Sequence, residues 1–205
     1  MPTTPSVPWW GRVSSVLAPV LFIGGWTVAA ALQPPGFDPS RDTISALAAV
    51  DATSRWVMTL GIAGTGVCHL VTALGLRAAA RPGRVLLGLG GAATLLVAAF
   101  PLPASDGNSA AHGISAFLAF LMLSIWPLVA WQRGVAVPWG LRRNVSVSAG
   151  AVLVLLLVAF GVALGRENGI GLAERVAAGA QALWPAVVVA TVPVVWRTRQ
   201  GMLTP

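Results

Sequence analysis

Asn144-Val-Ser-Val-Ser-Ala-Gly-Ala-Val-Leu-Val-Leu-Leu-Leu-Val-Ala-Phe-Gly-Val-Ala-Leu164 carries no charge, and Arg142, Arg143, Arg166 and Glu167 bracket it. At 1.5 Å per helical residue, a run of about 20 residues crosses the ~30 Å hydrocarbon core of a bilayer. Five more apolar stretches of similar length surround it. The expected spans are residues 14–33, 54–76, 84–101, 110–131, 144–164 and 173–196. The fold expected is therefore all-α: one integral membrane bundle of six transmembrane helices, a single domain over residues 1–205.

The composition agrees. The chain is 56% hydrophobic and 9% charged, against about 25% charged in an ordinary soluble domain. So little charge leaves lipid to cover much of the surface. The net charge of +7 would suggest nucleic acid in a soluble protein. Here the arginines sit at helix ends rather than in a patch, no nucleic-acid motif is present, and that partner class is excluded. The expected partners are membrane lipid and a small amphipathic molecule.

The charges are sided. All six carboxylates (Asp38, Asp42, Asp51, Asp106, Glu167, Glu174) fall in the first, third and fifth connections or beside them. Nine arginines (Arg12, Arg77, Arg81, Arg84, Arg133, Arg142, Arg143, Arg197, Arg199) fall in the other connections and at the termini. One face then sums to +9 and the other to −2. The positive-inside rule puts both termini in the cytoplasm. Arginine without lysine, with abundant Ala and Gly, suggests a bacterial plasma membrane. Trp9, Trp10, Trp131, Trp139 and Trp196 would form the inner aromatic belt, with Trp56 at the outer one.

Small residues at Gly61, Gly64, Gly88, Gly91, Gly161 and Gly165 predict close helix packing. Arg81-Pro-Gly-Arg84 reads as a sharp turn between the second and third spans. Trp126-Pro127 and Trp184-Pro185 echo each other, most simply as interfacial tryptophans beside proline kinks. Pro185 would free the Gln181 carbonyl and leave a polar spot in the sixth span.

The first connection is the longest. After Gln33-Pro-Pro-Gly-Phe-Asp-Pro39, which cannot be helical, the segment from about Asp42 to Val50 predicts a short interfacial or re-entrant helix. Ile44 and Leu47 should be buried in it, with Ser45 hydrogen-bonded beside them. Asp38, Arg41, Asp42, Asp106, His112, Glu167, Glu174 and Arg175 could converge above the bundle as a polar outer pocket. Arg41 or Arg175 would offset part of the acid. Solvated loops and helix caps explain any single acid as well. Glu174 near the start of the sixth span suits the helix dipole.

His112 is the most informative single residue, because a carboxylate from Asp38, Asp42 or Asp106 would orient its ring for acid–base work. A boundary histidine bonding a carbonyl is the competing reading. His69 lies near the middle of the second span, where a polar side chain faces the bundle or a cavity. Metal binding has no support in spacing, and no cofactor is expected. His112-Gly-Ile-Ser115 lacks the hydrolase elbow. There is no intramembrane chain of carboxylates, which argues against a proton-driven pump.

Phe37-Asp-Pro-Ser-Arg-Asp-Thr-Ile-Ser-Ala-Leu47, His112-Gly113, Gly171-Leu-Ala-Glu-Arg-Val176 and Trp184 occur in an order that resembles the bacterial membrane family named domain of unknown function 998. The resemblance implies a small helical membrane protein with its marked residues on one face, and it passes on no activity. Three functional classes stay open: a binder of a small amphipathic molecule or lipid headgroup, a membrane enzyme acting on a lipid or isoprenoid-like substrate, and an accessory subunit without a pocket.

Overall fold

The computed structural model describes residues 6–193, and every described helix belongs to one bundle. The helices are α1 (Trp9–Ala31), α2 (Trp56–Gly75), α3 (Arg81–Ala99), α4 (Ala110–Ile125), α5 (Arg143–Arg166) and α6 (Ile170–Ala190). Five of them are long and apolar enough to cross a membrane, counting α4 with the 3-10 turn Trp126–Val129 that extends it. The sixth, α6, carries Glu174, Arg175 and Gln181 along its length. The expected end of the last span at Trp196, and Arg197 and Arg199, lie outside the described residues.

Neighbours in sequence are neighbours in space from α1 to α4, and α6 closes the bundle against α1 and α5. Large apolar side chains point outward on several helices, among them Val16, Leu60, Leu89, Phe117 and Leu155. An apolar exterior of that extent belongs in lipid. Arg12 fastens the start of α1 to the end of α6 through the carbonyls of Val192 and Pro193 at 2.8 and 3.1 Å.

Several local expectations change. Arg81-Pro-Gly is the first turn of α3, not a turn before it. Proline suits that position because its missing N–H has no helical partner there. Pro127 ends α4 in a 3-10 turn, and its carbonyl accepts the Ser146 hydroxyl at 2.6 Å. Pro185 instead stays inside α6, so the Trp-Pro echo is not a structural repeat. Trp126 is fully buried in the core rather than interfacial. Gly161 and Gly165 meet nothing, because α5 packs through Gly150 and Leu153.

Two apolar clusters fill the interior. One, at the arginine-rich end, centres on Leu76, Leu87, Trp126, Leu141 and Val188. The other, at the acid-bearing end, holds Ile44, Leu47, Met58, Ile62 and Ala178. Ile44 and Leu47 are 2% and 0% exposed, as their spacing predicted. The helix expected from Asp42 to Val50 is only a 3-10 turn over Ala46–Ala48. A tertiary acceptor takes an amide that would have extended it: Val50 N–H goes to the Leu102 carbonyl.

Candidate functional site

Three connections meet at the acid-bearing end. Besides the Val50–Leu102 bond at 3.0 Å, Leu172 N–H donates to the Ser40 carbonyl at 3.0 Å. Asp38 and Asp42 shape the first connection from within. The Ser40 amide and hydroxyl both donate to Asp38 Oδ1, at 2.8 and 2.7 Å. Asp42 Oδ2 accepts from the Asp38 amide at 2.7 Å. The Ser40 hydroxyl, then its amide, hold the Asp38 carboxyl below its ordinary pKa. These two acids act as turn-formers.

Arg175 seats this loop on α6. Its Nη1 donates to the carbonyls of Pro39 and Asp42, both at 2.7 Å, and to Gly171 at 3.0 Å. Its hydrogen bonds therefore go to backbone oxygens rather than to the loop's carboxylates. The seat requires Gly171, since a Cβ there would collide with both loop carbonyls.

Glu174 lies one turn further along α6 and is 5% exposed. Its Oε2 accepts the Ile44 amide at 2.6 Å, and the Ser45 amide also faces the carboxylate. A buried carboxylate needs several donors of this kind. Ser45 connects it onward to His112, whose Nε2 lies 3.0 Å from Ser45 Oγ. The other ring nitrogen, Nδ1, lies 2.9 Å from the Phe100 carbonyl. A carbonyl only accepts, so Nδ1 carries the hydrogen and Nε2 of the neutral ring accepts from Ser45. His112 thus meets a hydroxyl and a carbonyl, with no carboxylate among its hydrogen-bond partners.

The anticipated outer residues divide into three places. Glu174, Ser45, His112, Arg175 and the backbone of Asp42 form the network just described. The Asp42 side chain also lines a depression of about 360 Å³ with Gln33, Asp51 and Asp106, where the Ser105 hydroxyl donates to Asp51 at 3.3 Å. Arg41 and Glu167 line a separate one of about 320 Å³. Asp106, Arg41 and Glu167 do not join the buried network.

Beneath that network is an internal cavity of about 60 Å³ among α1, α2, α3, α4 and α6. Glu174 and Ser45 line it, together with His69, Thr65, Thr94, Gln181 and apolar side chains such as Phe22 and Phe120. Most of these polar groups have partners. Thr65 donates to the Gly61 and Ala18 carbonyls at 2.7 and 3.2 Å, and Thr94 to Gly90 at 2.9 Å. Gln181 Nε2 donates to Ser124 Oγ at 2.8 Å and the Phe120 carbonyl at 3.0 Å. His69 is the exception: it is 1% exposed, and neither ring nitrogen has a hydrogen-bond partner. An unpaired buried polar group costs ~1–3 kcal/mol, so the cavity is where a polar occupant would meet it.

Sequence reasoning placed His69 facing the bundle or a cavity and went no further. The signal for more was present. Thr65, His69 and Thr72 recur at i, i+4 and i+7, which is one face of a helix. Gln181 is the matching polar residue on α6.

A multi-pass helical membrane protein with a polar, partly unsatisfied cavity inside its bundle is the class these features define. The chain belongs to the family described as Protein of unknown function (DUF998), whose pattern matches residues 16–191. No curated protein and no solved structure matches it.

Proposed function

We propose that this protein binds a small amphipathic molecule, or the slim polar end of a lipid, in the cavity beneath the acid-bearing connections. The observation that carries the reading is His69, buried with both nitrogens free beside apolar walls. Ligand sites are mostly apolar with a few placed polar groups, and an ionisable residue at bilayer depth marks function by default. The site thereby moves from the loop surface into the bundle. Glu174 and Ser45 form its roof, with His112 bonded to Ser45 behind it, and His69 with Gln181 lies deeper. With both termini cytoplasmic, as the arginine bias favours, the roof faces outward and the ligand arrives from outside or from the outer leaflet.

The pairing of His112 with Asp38 or Asp42 as a catalytic couple has less support, because the ring bonds Ser45 and Phe100. The experiment is retention. Purified protein is extracted with organic solvent and the released molecules are identified by mass spectrometry. Ala178→Leu, which extends a side chain from the cavity wall, should lose the retained molecule. Leu60→Ala, on the lipid-facing side of α2, should keep it. Equal retention by Ala178→Leu and the parent would sink this reading.

A further inference from the structure

The cavity is rich in hydrogen-bond acceptors and poor in donors. Thr65 and Thr94 spend their hydroxyl hydrogens on helix carbonyls, at 2.7 Å to Gly61 and 2.9 Å to Gly90. Ser45 spends its own on His112 Nε2. Gln181 gives its amide hydrogens to Ser124 Oγ at 2.8 Å and the Phe120 carbonyl at 3.0 Å. That carbonyl only accepts, so the amide is fixed this way round and its Oε1 is left as an acceptor. Glu174 takes the Ile44 amide at 2.6 Å, and a carboxylate, with about four lone-pair sites, can accept more. To an occupant these groups offer lone pairs. His69, with both ring nitrogens unpaired, adds one lone pair and the one free N–H of a neutral ring. Among the described residues Glu174 is the one charged side chain in the lining, and no arginine joins it. Arg175 steadies the carboxylate from outside the cavity and gives its hydrogen bonds to the backbone of the first connection.

We propose, resting on the cavity as the binding site, that its occupant is a primary amine: an ammonium on a slender carbon stem, with Glu174 as its counter-ion. An ammonium has three donors and no acceptor, which complements this lining. A carboxylate or phosphate head would set acceptors against acceptors and a second negative charge near Glu174, and both are unfavourable. An alcohol brings one donor and no charge. An alkylamine is protonated at neutral pH, as the lysine side chain is. The volume sets the size. About 60 Å³ is room for about four water-sized groups. The cavity therefore takes the ammonium, its first carbons and a water that accepts the His69 N–H, and it excludes a bulky or branched head. A free alkylamine and the aminoethyl head of a phospholipid carry this same chemistry.

The test is calorimetric titration of the full chain in detergent at neutral pH with n-butylamine, n-butanol and n-butyltrimethylammonium. The amine should bind about tenfold tighter than the alcohol, because its hydrogen bonds are charge-assisted. The trimethylammonium keeps the charge and loses the donors, and it should bind no better than the alcohol. Glu174→Gln still accepts the Ile44 N–H and should bring amine and alcohol within about twofold of each other. Ala178→Leu should bind neither, and Leu60→Ala should match the parent. Repeating the amine titration in phosphatidylglycerol nanodiscs with and without phosphatidylethanolamine separates the two sources: competition assigns the site to the lipid head, and unchanged affinity assigns it to a free amine. Equal binding of amine and alcohol by the parent overturns the amine and leaves the cavity reading standing, whereas binding of neither overturns both. A trimethylammonium that matches the amine also overturns the proposal. So does undiminished amine binding in folded Ala178→Leu, since the amine would then sit elsewhere, as on the depression of Asp42, Asp51 and Asp106.

Discussion

Gly171→Ala tests whether the first connection is seated on α6. A Cβ at this position would overlap the Asp42 carbonyl oxygen and come within 2.6 Å of the Pro39 oxygen and 2.9 Å of Arg175 Nη1. Those oxygens are the two loop acceptors of Arg175. One methyl therefore forces the loop outward and loosens its guanidinium anchor together. Overpacking costs about 1–3 kcal/mol, and a weakened hydrogen bond to a charged donor adds roughly 1.5–3. Alanine's better helix propensity returns ~0.5–1 kcal/mol. The net loss is about 2–5 kcal/mol. At the ~2–4 °C per kcal/mol found for soluble domains of comparable length, apparent melting in detergent should drop on the order of 5–15 °C. Gly165→Ala is the control, because nothing lies within 4 Å of its added carbon. It should melt at or slightly above the parent. If the two variants melt together, the loop does not rest on Gly171 and the roof of the cavity is wrongly drawn.

Cysteines replacing the exposed Ser105 and Asn168, in a Cys68→Ala background, should react with an impermeant thiol reagent on whole cells, whereas one replacing exposed Val135 should not; the reverse pattern overturns the orientation. His112→Ala strands the Phe100 carbonyl and the Ser45 hydroxyl, each worth ~1–3 kcal/mol when unsatisfied, so lowered thermal stability is expected ahead of any other effect, and parental melting would refute this bridging role. Asp38 should titrate below 3.8 by carboxyl NMR, and Ser40→Ala should bring it back up toward that value. Because the folded pKa is depressed, Asp38's stabilising contribution is present above about 3.8 and is lost as pH falls through the folded value; a Ser40→Ala titration identical to wild type would refute the assignment.

Hydropathy and charge carried the fold a long way. The apolar runs exist because lipid must cover them, and their arginine and carboxylate flanks followed from sidedness. Ile44 and Leu47 were legible because the chain has little reason to place them in an aqueous connection. The third helix boundary was misread because Arg-Pro-Gly serves equally as a turn and as a first helical turn. Only the fit of Gly83 against Ala130 distinguishes them, and that is a tertiary fact. The loop helix shrank to one turn for a similar reason: the Leu102 carbonyl takes the Val50 amide, and the two are distant in sequence.

The site was harder to read because its key residues are polar islands in apolar runs. Thr65, His69 and Thr72 announce a face, but what that face meets depends on helix rotation and on small residues such as Gly66 and Gly91, each of whose added Cβ would lie 2.8 Å from the other's carbonyl oxygen. That contact presses α3 against α2 beside His69, and a Cβ on Gly91 would also come within 3.0 Å of the His69 Cβ. The imidazole therefore cannot retreat toward α3 and is left with the cavity. Glu174 shows the opposite bias. Its place near a helix start made a dipole-compensating cap a sufficient explanation, yet the structure spends it on Ile44 of another connection and lines the cavity with it. Clamp and lining are then one carboxylate, so truncating it would disturb fold and site together. Glu174→Gln separates them, because an amide oxygen still accepts the Ile44 N–H while the negative charge and its titration are gone.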